Sequence, residues 1–329
     1  MRQIFCLIFL FIATLAHAQT VNEIVDNCLK ALENKDIQTL RKEYPTLYLQ
    51  FVKEVEPNYI NAGKSVSNLD YKQAFSNLYE LISEGYMFDE IRNDNNFQNL
   101  HGLDEWGNFI GYIDSITANY NNELRKELNK IQYEDQGIRL LLLNVQKSKG
   151  LSNPTTLLIR EEMEQVDSIN AIRVQQLIDE FGWLGESEIG SEANQTLFLA
   201  IQHVDDLIVQ EKYLPLLEQA VKEGNAEAWQ FAFLTDRILM NQGKFQVYGT
   251  QMIIGENPED SYIVPLQNPE KVDELRHEVG LEPLNDYLRE EDMEWDLEKY
   301  KANLPRVLKL YEKRNSKNRG CNLNCVSKA

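Results

Sequence analysis

Three short runs place titratable and hydrogen-bonding side chains where a plain helical core would carry hydrocarbon. In "TLFLAIQHV", Gln202 and His203 interrupt a segment that is apolar nearly all round, and His203 lies four residues from both Leu199 and Leu207. In "FAFLTDRILM", Asp236 has Ala232, Phe233, Leu239 and Met240 at helical distance, and Arg237 has Phe233, Leu234 and Met240. Adjacent helical residues point about 100° apart, so these two charges need different partners. In "GKFQVYGTQ", Gln246, Tyr248, Thr250 and Gln251 crowd around Gly249. An imidazole whose ordinary pKa lies near neutrality is suited to general acid or base work. A carboxylate can orient it, a guanidinium can hold an anionic group in a forked pair of bonds, and amide or backbone donors can meet developing negative charge.

His203, Asp236 and Arg237 are therefore the candidate catalytic residues, with Gln202, Gln246, Tyr248, Gly249, Thr250 and Gln251 as candidate substrate-binding residues. Each also has a structural reading: a satisfied core histidine, an arginine paired to a structural carboxylate, an ordinary hairpin with a polar outer face. Asp135, Gln136 and Arg139 ahead of "LLLL", and Asn170 one turn after Asp167, form a second tier, read first as cross-links between long helices. No G-x-S-x-G, H-E-x-x-H, Walker or dinucleotide fingerprint occurs, so the familiar serine, zinc and nucleotide mechanisms lack sequence support. No metal ligand set is assigned and no cofactor is indicated.

The elements that must position these groups are mostly helices. Ile24, Cys28, Ala31 and Leu32 make one apolar stripe, and Ala74, Phe75, Leu78 and Leu81 another that ends at Gly85. "EYPTLYLQFVKEVEP" reads as a helix begun by Pro45 and stopped before Pro57. Longer helices follow from Tyr120, broken by Gly150 and Asn153-Pro154, and three more run through to Gly243. From Lys244 apolar and polar residues alternate, and with "SYIVPL" at 261–266 this predicts a β-hairpin over 244–266, with Gln246, Tyr248 and Thr250 on one outward face. After Pro269, "KVDELRHEVGL", "LNDYLREEDMEWDLEKYKANL" and "RVLKLYEKR" return to helix. The expectation is an all-α fold with one small hairpin: a helical domain over 19–115, a second helical domain carrying the hairpin over 116–312, and a flexible tail over 313–329.

Two resemblances bear on this organisation. The helix order through "NLDYKQAFSNLYELISEGY" and "DNNFQNLHGLDEWGNF" resembles a single tetratricopeptide-like unit, which implies a surface for a protein partner. The blocks "EDQGIR", "AIQH", "TDR", "GKFQVYGTQ" and "VDELRHEVGL", spanning roughly 120–288, resemble those of a family of uncharacterised bacterial proteins, many of them exported. That resemblance implies a shared site without supplying its chemistry.

The first residues fit export. Arg2, an apolar run from Ile4 to Leu15 and Ala16-His17-Ala18 read as a secretory signal peptide cleaved after Ala18, giving a soluble periplasmic or extracellular chain that starts at Gln19. The net charge of −19 disfavours nucleic acid and anionic membrane surfaces as partners. Cys28, Cys321 and Cys325 are an odd number of thiols at the two extremes of the chain, which argues against a disulfide framework. Two functions fit these residues. One is an exported hydrolase or transferase acting on a small or peptide-like molecule through a His/Asp/Arg/Gln/Tyr pocket. The other is a non-catalytic module that binds a small ligand and docks a protein through its N-terminal helices.

Overall fold

Local chemistry sets most helix ends. The computed structural model describes residues 19–255, 257–289 and 293–326; the proposed signal peptide and the side chains of Cys321 and Cys325 lie outside what is described. The protein is mainly helical, with one small two-stranded antiparallel sheet. By contact the chain divides into two compact units between Ala200 and Ile201.

In the first unit α1 (Gln19–Glu33), α2 (Ile37–Val55), α3 (Pro57–Ser67) and α4 (Tyr71–Ser83) follow one another through short links. The Asp36 carboxylate accepts from the Thr39 amide at 3.0 Å and starts α2, and Asp70 does the same for α4 through Gln73. Two 3-10 turns, Ile91–Asn93 and Asn95–Leu100, lead to α5 (Asp104–Thr117). The long pair α6 (Asn122–Lys149) and α7 (Pro154–Phe181) comes next. Gly150 and Gly182 stop them in the left-handed half of backbone space, at φ +90° and +79°. The Asn153 side chain accepts from Thr155 N at 2.9 Å, with Pro154 in the first turn of α7. The one-turn α8 (Glu186–Ile189) precedes α9 (Ser191–His203), whose last three residues belong to the second unit.

Pro45 lies inside α2 rather than in its first turn. Proline removes one backbone bond there, yet Leu40, Tyr44, Leu47, Tyr48 and Phe51 are buried on both sides of it. At about 1.5–3 kcal/mol per buried large apolar side chain, their packing outweighs the lost bond. α6 crosses α2 at this point so closely that a Cβ on Gly137 would lie 2.0 Å from the Tyr44 carbonyl oxygen. Cys28 is a free thiol in this core, its pKa pushed up to about 12 chiefly by burial.

The second unit pairs α10 (Leu207–Glu223) with α11 (Ala228–Asn241). β1 (Met252–Ile253) and β2 (Tyr262–Ile263) are antiparallel, with Met252 opposite Ile263 and Ile253 opposite Tyr262. α12 (Val272–Glu278), α13 (Leu284–Arg289) and α14 (Leu297–Val326) complete it. Pro305 sits within α14 and does not end it. Tyrosine hydroxyls tie these parts together: Tyr311 donates to Lys244 O at 2.8 Å, and Tyr300 accepts from Leu266 N at 2.8 Å.

Candidate functional site

The alternating run after Gly243 forms strand only further on. Residues 245–251 instead form a loop against α11, with an isolated bridge between Gln246 and Leu266 outside the two strands. The cause is Asp236, eleven residues before Val247 on α11 and 0% exposed. Its Oδ1 accepts from Val247 N at 2.7 Å and Tyr248 N at 3.2 Å. Its Oδ2 accepts from Tyr248 N at 3.1 Å, Thr250 N at 3.1 Å and the Thr250 hydroxyl at 3.0 Å. Burial pushes the Asp236 pKa up, and the bonds from Val247, Thr250 and Tyr248 oppose that shift.

The expected outward polar face is therefore reversed for two of its three residues. Gln246, Thr250 and Gln251 are buried. Gln246 Nε2 donates to Gln251 O at 2.9 Å and Val264 O at 2.7 Å, while its Oε1 accepts from Gln251 N at 2.8 Å. Gln251 Nε2 donates to the Thr250 hydroxyl at 3.0 Å. Gly249, at φ +70°, has no room for a side chain without pressing on Leu284, 3.1 Å from where a Cβ would stand. Tyr248 is the exception in the alternating set: its side chain stays half-exposed, and its hydroxyl pKa is raised by burial, then by the charges of Asp236 and Glu278.

Two residues that the sequence reading did not single out clamp the loop from α12 and α13. Arg276, fully buried, donates from Nη1 to Tyr248 O at 2.9 Å and from Nε to Glu282 O at 2.6 Å. Its guanidinium lies 4.9 Å from the Tyr287 ring centre, and the Tyr287 hydroxyl donates to Thr250 O at 3.1 Å. Arg276 Nη2 has no hydrogen-bond partner among the described residues. The signal was present in the sequence: Arg276 follows Val272 by four residues, which puts a cation on an apolar helix face.

The other first-tier residues lie on α9 and α11. His203 ends α9 and is half-buried. Gln202, just before it, is buried, and its backbone oxygen and that of Val204 accept from Gln210 Nε2 at 3.3 and 2.9 Å. Gln210 Oε1 accepts in turn from Asn241 Nδ2 at 3.1 Å, which ties the end of α9 to α10 and α11. Arg237 is half-buried on α11 beside Asp236.

The second tier lies in the first unit and is a ladder between α6 and α7. Arg139 bonds Asp135 at 3.0 Å and grips both oxygens of Asp167 at 2.8 Å; Gln136 donates to the other Asp135 oxygen at 2.5 Å. One turn along, Asn170 accepts from Arg173 at 3.1 Å, and Arg173 bonds Glu127 and Glu134. An open cleft of about 420 Å³ near the C-terminal end of α3 is lined by Gly63, Lys64, Ser67, Asn68 and Asn96, none of them a candidate from sequence.

Fold and site together define a helical protein in which a buried aspartate organises an irregular, glycine-containing loop. The chain belongs to a family of unknown function, DUF6624, whose profile matches residues 122–299. Neither the curated proteins nor the solved structures contain a match to it.

Proposed function

We propose that this is an exported protein whose second unit binds a small or peptide-like molecule bearing an anionic group at the surface of the 245–251 loop. One observation carries the reading: the loop backbone is fixed from both sides, by Asp236 and by Arg276, while the Tyr248 side chain remains half-exposed. An irregular loop held this firmly on a helical scaffold suits a binding surface, because little conformational freedom is lost when a ligand arrives. Arg237, next to Asp236 on α11, is the residue this reading assigns to the anionic group. The acidic composition supports a partner other than nucleic acid or an anionic membrane, and the tetratricopeptide-like helices over 19–115 suit docking of a protein.

Catalysis is the second reading, as a hydrolase or transferase with His203 as general acid or base. The half-buried position of His203 at a helix end favours it. Against it, both Asp236 oxygens are already engaged by loop donors, so an imidazole there would need another orienting group. The test is a thermal-shift screen of the whole chain with small carboxylates and short peptides, with mass-spectrometric detection of product. Binding predicts a stabilising ligand whose effect is lost in Arg237→Gln and weakened in Tyr248→Ala, with no product formed. Turnover that disappears in His203→Ala while stabilisation persists would establish catalysis instead. Stabilisation unchanged in all three variants would remove the site.

A further inference from the structure

Glu192, buried, and Glu90, half-buried with its Oε2 enclosed, belong to a second titratable centre in the first unit that the ligand reading does not use. Tyr133 on α6 donates its hydroxyl hydrogen to Glu90 Oε1 at 2.9 Å. Glu192, in the first turn of α9 and 7% exposed, accepts from Asn129 Nδ2 at 3.0 Å, and Asn129 lies one turn before Tyr133 on the same face of α6. Glu90 Oε2, Asn129 Oδ1 and Arg125 Nη1 are buried without partners among the described residues.

The charged and titratable groups facing this centre come from four elements. They are Tyr48 on α2; Tyr86, Asp89 and Glu90 in the turn before the first 3-10 segment; Arg125 and Tyr133 on α6; and Glu192 on α9. Three carboxyls thus face one guanidinium, and Arg125 spends its contact on Asp89, at 2.8 Å. With Glu90 and Glu192 both ionised, two negative charges would share a buried site with no cation in contact, which buried groups avoid by keeping a proton. The N-terminal turn of α9 favours an anion only weakly. Burial, then the charge of Glu90, pushes Glu192 well above the usual carboxylate range, with Arg125 opposing; burial likewise raises Glu90.

We propose that Glu192, Tyr133 and Glu90 form a proton-operated latch that fastens the 84–90 turn to α6 and α9. In the closed state the protonated Glu192 donates to the Tyr133 oxygen, and Tyr133 donates to ionised Glu90. Release of that proton to solvent leaves Tyr133 with one hydrogen for two anions, and the turn loosens.

The sign follows from linkage. Folded chain keeps a proton that unfolded glutamates, at an ordinary value of 4.5, have lost, so this contribution is largest at acid pH and shrinks as pH rises through the raised range. Glu192→Gln mimics the protonated acid and removes the dependence.

The experiment compares thermal unfolding of the whole wild-type chain and Glu192→Gln from pH 5 to pH 8.5, with hydrogen–deuterium exchange of the 84–100 peptides at each end of the range. The expected result is a wild-type midpoint that drops relative to the variant by about 3 °C or more as pH rises. Deuterium uptake over 84–100 should increase in the wild type alone. A difference between the two proteins that stays constant with pH, or a variant that loses ground as pH rises, would overturn the latch. If Glu192→Gln does not fold, Glu90→Gln tests the same shared proton from its other side.

Discussion

Asp236 is a carboxylate withdrawn from water, and five hydrogen bonds from loop amides and a hydroxyl replace its hydration. Asp236→Ala leaves those buried donors facing a cavity, and we expect a loss of about 3–5 kcal/mol in urea unfolding. Thr250→Val removes one donor and one acceptor together and should cost about 1–2 kcal/mol. At this scale the sequence pointed to the right residue with the partner unspecified. An aspartate among Ala232, Phe233 and Met240 had to find donors, but pattern alone could not tell an imidazole or a ligand from a loop eleven residues on. Gln246 and Thr250 were harder still, because alternation places them on one face without saying whether that face meets water or a buried anion.

Among the elements, α2 and α6 meet where Gly137 lets α6 approach the Tyr44 backbone. The atom in the way is a backbone carbonyl, which cannot swing aside, so Gly137→Ala must separate the helices. The gain in helix propensity from alanine, about 1 kcal/mol, is smaller than the packing lost. We expect a net destabilisation of at least ~2 kcal/mol, measured as a shift in the urea midpoint. Helix ends at Gly85, Gly150 and Asn153-Pro154 were legible because capping is local. Pro45 was misleading because continuity through it depends on residues buried from elsewhere in the fold. The break between α13 and α14 was likewise hidden inside one helical-looking run. The short strands β1 and β2 fell within the expected hairpin, though the segment before them was turned into loop by Asp236.

For the whole molecule, membership of DUF6624 covers residues 122–299, and the helices before it lie outside the matched part. The export proposed above concerns the entire chain and rests on the sequence pattern of residues 1–18 alone. Expressed from Met1 in a bacterial host, the protein should be recovered outside the cytoplasm with Gln19 as its first residue by intact-mass measurement; an unprocessed cytoplasmic product would remove the export proposal. The account as a whole turns on the 245–251 loop being built in advance by Asp236. Residue-resolved amide exchange at Val247, Tyr248 and Thr250 tests this most directly, in the wild type and in Asp236→Asn. We predict protection in the wild type comparable to the interior of α11, lost selectively at these amides in the variant. Rapid exchange at all three in the wild type, with α11 protected, would contradict it.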